Sequence, residues 1–158
     1  MKVAIGTDHA GFELKEKLKP FIESLGAEVI DCGAYTLDMN DDYVIYVQAA
    51  AKMVSDDPQN TRAIVIGGSG QGEAMAANRY KGVRCALYYG EAKKRQTDAK
   101  GAELDIITSS REHNDANALA IGARFLNENE VKEVVKKWLE TTFSGEERHV
   151  RRIKMLDE

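Results

Sequence analysis

Gly68, Gly70 and Gly72 alternate with Ser69 and Gln71 and lead into Glu73, directly behind the apolar run Ala63-Ile64-Val65-Ile66. A buried strand, a glycine-rich turn and a helix start are what an anion site needs. Glycines let backbone N–H groups approach a ligand closely, and the helix N-terminus adds partial positive charge. Ser69 and Glu73 stand four apart, the spacing that puts two side chains on one helix face, so they could bracket a single ligand. Each also has a plain structural reading. Ser69 is a good helix cap, and Glu73 in a first turn is favoured by the helix dipole without any chemistry.

Other groups could join this turn. Asp8 and His9 follow the first apolar run, Arg124 follows the last one, and His113 with Asn114 sits in a polar turn. Open parallel sheets bind ligands beyond the carboxyl ends of their strands, which would gather Asp8, His9, Gly33, Ser69, Glu73 and Arg124 along one rim. Asp8 is equally a helix cap, and His9 equally a partner for a surface carboxylate. In the tail, Arg148 and Arg152 point the same way on a helix, and His149 shares the face of Arg152. Paired guanidinium forks suit a phosphate; the alternative is a solvated basic face. Lys93-Lys94-Arg95 reads as such a solvated cluster.

Motif tests narrow the chemistry. The glycines give G-x-G-x-G, not the dinucleotide spacing G-x-G-x-x-G, although Asp31 lies where a ribose-binding acid would sit. The first turn, residues 6–11, has too few glycines for a pyrophosphate. No Gly-Lys-Ser/Thr marks a P-loop, and no Cys or His spacing indicates zinc.

These groups need elements to hold them. Residues 2–6, 27–31, 62–67, 83–88 and 118–121 read as short apolar strands. Between them, Leu14, Leu18, Phe21, Ile22 and Leu25 fall on one helical face closed by Gly26, with Pro20 predicting a kink or break. Val44, Val47, Ala51 and Val54 mark a second helix that ends before Asp56-Asp57-Pro58. Residues 70–79 form a third. Asn127 to Glu130 has the form of a capping box, ahead of Val131, Val134, Val135, Trp138 and Leu139, with Gly145 as the stop. A basic helix follows over 146–156. The polar stretch 90–110 resolves least: 91–100 fits a helix and 105–108 a short extra strand, with a short helix or turn over 111–117. Repeated strand–helix units predict a single α/β domain over 1–158, a three-layer Rossmann-like fold with a five-stranded parallel sheet flanked by helices.

Bulk numbers exclude several classes. The chain has 158 residues, 43% hydrophobic and 30% charged, with a net charge of −4. That composition suits a globular domain and gives no global basic field for nucleic acid. Cys32 and Cys85 lie in or beside apolar runs, so reduced thiols and a cytoplasmic setting are expected. Asp8 and His9 interrupt the first apolar run before it reaches signal-peptide length, and no run is long enough to cross a membrane.

Taken together, Gly6-Thr7-Asp8-His9-Ala10-Gly11, Asp31-Cys32-Gly33, Asp42-Tyr43, Gly67-Gly68-Ser69-Gly70-Gln71-Gly72-Glu73, Ala77-Asn78, Arg111-Glu112-His113-Asn114-Asp115 and Arg148-His149 resemble the ribose-5-phosphate isomerase B / galactose-6-phosphate isomerase family, in order along nearly the whole chain. The resemblance implies a homodimer, or a dimer of dimers, that interconverts aldose and ketose phosphates without metal or other cofactor. One branch of that family takes its base from a cysteine ending strand three, and here that position is Gly67. The other uses a glutamate in the next helix, which Glu73 matches. By the same resemblance Ser69 assists at the substrate hydroxyls and the amides of 68–72, with Gly68, Gly70 and Gly72, hold an enediolate. His113 opens the sugar ring with Asp8 nearby. Asn114, His9 and Tyr43 contact the substrate, and His9, Arg124, Arg148 and Arg152 hold its phosphate. The site lies between subunits, with the His113 turn donated by the partner.

The resemblance implies ribose 5-phosphate and ribulose 5-phosphate as the substrate pair. A six-carbon aldose phosphate, allose or galactose 6-phosphate, is the alternative, and a non-catalytic sugar-phosphate or nucleotide-binding module is the other. Two departures stand out. Val44 replaces the proline usual after Asp-Tyr, and residues 89–110 are longer than the family's usual link. That link precedes His113 and could form a lid, reshape the sugar pocket or extend the dimer contact.

Overall fold

The computed structural model describes residues 1–98, 101–156 and 158. The principal strands are β1 (Lys2–Thr7), β2 (Glu28–Asp31), β3 (Thr61–Gly67), β4 (Cys85–Tyr88) and β7 (Ala118–Gly122). They form one five-stranded sheet in the order β2-β1-β3-β7-β4, with every pairing parallel. The chain leaves β1 toward β2 and returns to β3 on the other side. The strand order therefore reverses between β1 and β3, where such sheets open a crevice.

Alternation along the strands sorts the core into two layers. Val3, Ile5, Ile64, Ile66, Leu119 and Ile121 face one way, against Leu18 and Ile22 of α1 (Phe12–Ser24) and Val131, Val135 and Trp138 of α5 (Glu128–Glu140). Ala4, Ala63, Val65, Ala118 and Ala120 face the other way, against Val47, Ala50, Ala51 and Val54 of α2 (Tyr43–Asp56) and Ala77 of α3 (Gln71–Ala77). Large residues fill the first layer. Small ones let α2 and α3 approach the second closely, and α3 carries Glu73. Burying each large apolar side chain stabilises by roughly 1.5–3 kcal/mol.

Several boundaries differ from the sequence expectation. Helix α1 runs unbroken through Pro20, which lies on the exposed face, where the unpaired carbonyl one turn back can meet water. Helix α5 starts at the expected capping box but ends at Glu140, before Gly145. Thr141 takes an extended conformation, and its hydroxyl donates to Lys137 O at 2.7 Å, which satisfies a terminal carbonyl. Residues 91–98 contain no helix; residues 99 and 100 of that expected helix lie outside the described residues. Instead β5 (Gln96–Thr97) and β6 (Glu103–Leu104) pair antiparallel as a small hairpin. The expected strand over 105–108 is the start of α4 (Ile106–Glu112). Asp105 decides this: its carboxylate accepts from Ile107 N at 3.0 Å and Thr108 N at 2.9 Å, an N-cap that overrides the apolar pair Ile106-Ile107. The basic tail forms α6 (Glu147–Lys154). Among the described residues, no helix is long and apolar enough to cross a membrane.

Candidate active site

Glu73 is 5% exposed, and its carboxylate lies directly over the Cα of Gly67. A Cβ on residue 67 would stand 1.8 Å from Glu73 Oε1 and 2.1 Å from Cδ. The end of β3 and the first turn of α3 thus compete for one volume, and only a glycine at 67 leaves it to the carboxylate. Burial pushes the Glu73 pKa up. Its own backbone N–H opposes this, and the negative charge of Asp8 adds to the rise. Burial therefore prevails over the helix-terminal amide.

The turn between β3 and α3 depends on Gly70, the helix cap, whose φ of +76° is left-handed. This conformation corrects the expectation that Ser69 and Glu73 share a helix face. Ser69 precedes the left-handed residue and lies outside α3, so helical spacing does not apply to the pair. Ser69 is exposed and its Oγ accepts from Gln71 N at 3.3 Å, while Glu73 turns back into the sheet edge.

Other rim residues close around this carboxylate. Register pairs Gly67 with Gly122, so Arg124 just beyond β7 reaches the turn. Its backbone N–H donates to Gly68 O at 3.1 Å, and its guanidinium carbon would lie 3.3 Å from a Cβ on Gly68. Tyr43, at the start of α2, packs against Gly72, with Oη 2.5 Å from the Cβ position there. Asp8 is 7% exposed, and its Oδ1 accepts from Ala10 N at 2.9 Å, so it does cap the short 3-10 turn His9–Gly11. Thr7 Oγ1 donates to Ile66 O at 2.8 Å and ties the ends of β1 and β3 together.

His9 has a partner that sequence reasoning missed. Asp41 Oδ1 accepts from the His9 backbone N at 3.0 Å and lies 2.8 Å from its Nδ1. Among the described residues, this leaves Nε2 as the free nitrogen. Asp41 stood out in the sequence only as one of several acids before Tyr43, a signal that singles out nothing. Ligand atoms of Asp8, His9 and Asp41 lie within 4.8 Å of one another, a spacing that could hold a metal ion. The Asp41 contacts already occupy Nδ1, and they suit an oriented imidazole at least as well.

A second cluster forms at the opposite end of the sheet. His113 follows α4, which leads into the start of β7, so His113 and Asn114 lie toward the amino edge. Glu73 follows the carboxyl end of β3. With about 3.3 Å per residue, the strands separate the two edges by on the order of 15 Å. The His113 turn is built firmly. Asp115 has φ 45°, a conformation that Asp tolerates better than most residues. Arg84 Nη2 donates to Asp115 Oδ2 at 2.9 Å and Arg111 Nη1 to Asp115 Oδ1 at 2.8 Å. Arg84 Nε also donates to Asn114 O at 3.0 Å.

Helix α6 covers this turn. The His149 ring stacks on His113, with centroids 4.5 Å apart and planes 6° from parallel. Burial, followed by the nearby His113 and Arg148, lowers the His149 pKa. Arg148 Nε donates to His149 Nε2 at 3.2 Å and pairs with Glu146 Oε2 at 3.0 Å. Arg152 is exposed on the same helix. The structure thus places Asp8, His9, Tyr43, the 68–72 turn, Glu73 and Arg124 together. It places His113, Asn114 and Arg148, with α6, apart from them. Burial pushes the Cys32 thiol up to about 11 and the Cys85 thiol up to about 12, which disfavours the thiolate at both.

Competition at Gly67 gives a sharp test. Gly67→Ala must displace the Glu73 carboxylate, and misplacing a reacting group by an ångström costs roughly 100-fold in rate. Steady-state kinetics should show that loss in kcat with little change in KM. Wild-type kcat in the variant would mean that the carboxylate is not the working group.

Comparisons with known proteins agree with this fold. A family model described as Ribose/Galactose Isomerase matches residues 3–156. Ribose-5-phosphate isomerase B of Mycolicibacterium paratuberculosis is 40% identical over 158 residues, which is 100% of this chain and 91% of that protein. A putative sugar phosphate isomerase of Bacillus subtilis is 38% identical over 154 residues, covering 97% of this chain and 93% of its own. The crystal structure of ribose-5-phosphate isomerase B from Mycoplasma genitalium with bound ribulose-5-phosphate superposes with a TM-score of 0.84 at 30% identity, covering 98% of this chain and 93% of that one. The chain belongs to the ribose/galactose isomerase family.

Proposed function

We propose that this chain is an aldose–ketose isomerase that interconverts ribose 5-phosphate and ribulose 5-phosphate through an enediolate. The observation that carries the reading is the buried Glu73 carboxylate seated over Gly67, beside a turn rich in backbone amides. A carboxylate partly stripped of water is a stronger base, and proton transfer between C2 and C1 needs such a base close to the carbon acid. Glu73 takes the C2 proton and returns it to C1. Amides of the 68–72 turn, including Gly68, Gly70 and Gly72, hold the enediolate oxygens, and losing one such donor costs on the order of 3 kcal/mol. Ser69 assists at the hydroxyls, and Tyr43 and Asn114 contact the sugar.

Ring opening comes first. The C1–O4 bond breaks, O4 takes a proton from His113, and the C1 hydroxyl gives its proton to Asp8. Water returns the proton from Asp8 to His113, so nothing is oxidised or reduced. His9 is turned toward phosphate by Asp41, and Arg124, Arg148 and Arg152 share the phosphate with it. The separation of the two clusters supports a homodimer in which the partner supplies the His113 turn and α6. The chain works as one sugar-phosphate isomerase domain over 1–158, in the cytoplasm and without a metal.

Deuterium exchange at substrate C1 and C2, followed by NMR in metal-free buffer, tests the reading. Five- and six-carbon aldose phosphates should be compared. Exchange is expected with ribose 5-phosphate. Exchange confined to a six-carbon substrate would move the assignment to allose or galactose 6-phosphate. No exchange with any of them would leave a binding module.

A further inference from the structure

We propose that the β5–β6 hairpin positions His113 for ring opening through Gln96 and Ser109. The inference rests on the isomerase reading and adds two residues to it. Gln96, in β5, donates from Nε2 to Ser109 Oγ at 2.5 Å. Ser109, in α4 and 8% exposed, holds that oxygen 3.5 Å from His113 Nδ1. A serine hydroxyl has one proton and two lone pairs, and the glutamine amide nitrogen is a donor only. Gln96 therefore occupies one lone pair and leaves the other to accept from His113 Nδ1–H. The imidazolium that gives a proton to the sugar ring oxygen is a donor at both nitrogens, and the Nδ1–H held by Ser109 fixes the direction of Nε2–H. The stacked His149 covers one ring face and stops the imidazole from tilting. The proton needed at the sugar ring oxygen is thereby held on the nitrogen that faces away from Ser109.

The hairpin strands are tied to one another and to the base of α4. Asp98 N donates to Ala102 O at 2.9 Å across it. Asp105 at its base caps α4 and pairs with Lys137 of α5. The segment that lengthens this chain before His113 thus ends on the ring-opening residue itself.

Substrate chemistry provides the test. Ribulose 5-phosphate has its C5 oxygen phosphorylated, so it cannot close a five-membered ring onto C2 and needs no ring opening. Gln96→Met keeps length and removes the donor; Ser109→Ala removes the hydroxyl. Each should slow conversion of ribose 5-phosphate about tenfold, because the acid is misoriented rather than lost. C1 deuterium exchange into ribulose 5-phosphate should stay within about twofold of wild type, since it bypasses the ring. Ser109→Thr, which keeps a hydroxyl, should restore the forward rate. If both rates fall together, Gln96 only supports α4 and the inference is overturned; if neither falls, it is overturned as well. Absence of exchange in the wild type would instead defeat the isomerase reading.

Discussion

Glu73→Gln lowers kcat by roughly 1,000-fold, the middle of the range for a general base, while phosphosugar affinity changes only a few-fold. Glutamine keeps the volume of the side chain over Gly67 and removes only the capacity to take a proton. Two further readings separate lost chemistry from damaged folding. The proposed base works as the carboxylate, so wild-type activity should rise with pH through its pKa. That pKa is raised by burial, which places the acid limb of kcat/KM above the ordinary 4.5, and the limb disappears in the variant. Stability moves the other way. A carboxyl whose pKa is raised on folding binds its proton more tightly in the folded state, so its burial costs stability once pH exceeds the unfolded value. A permanently neutral amide carries no such cost. The variant should therefore unfold at the same temperature as wild type or higher at neutral pH. A fall in kcat accompanied by a clear fall in Tm would point to a structural role for Glu73 instead.

Much of this was legible because parallel sheets write themselves plainly. Apolar runs bounded by glycine and polar turns fixed the five strands, and the carboxyl-edge rule then collected Asp8, His9, Glu73 and Arg124 without any contact being known. What stayed hidden depends on competition between local signals. Asp105 caps α4 and turns an apparent strand into a helix, and its strength comes from a carboxylate meeting two particular N–H groups. Left-handed Gly70 removes Ser69 from the helix on which spacing had placed it. Asp41 meets His9 across 32 residues and Gln96 meets Ser109 across 13, and such pairings leave no periodic trace. The relation of Gly67 to Glu73 was half visible: the family resemblance pointed to a cysteine missing at 67, and only the fold shows the carboxylate filling the space left free.

Mixing two inactive variants should restore activity, and this is the strongest test of the shared site. Glu73→Gln removes the proposed base, and His113→Ala removes the proposed ring-opening acid. Within one chain these side chains lie at opposite edges of the sheet, a separation that no side-chain rotation spans. If each site joins one subunit's Glu73 to the other's His113, a mixed dimer holds one doubly damaged site and one intact site. Random assortment makes half of the dimers mixed, so about a quarter of all sites are intact, by the two-fold symmetry of such an interface. Co-expressed variants should therefore regain about a quarter of wild-type activity on ribose 5-phosphate, whereas separately purified variants assayed before subunits exchange should show almost none. Arg148→Ala should behave like His113→Ala in the same mixture, because α6 travels with the His113 turn. Arg124→Ala should behave like Glu73→Gln, because Arg124 packs on Gly68. A mixture no more active than its parts would place all of these groups in one subunit and require α4 and α6 to move to the carboxyl edge.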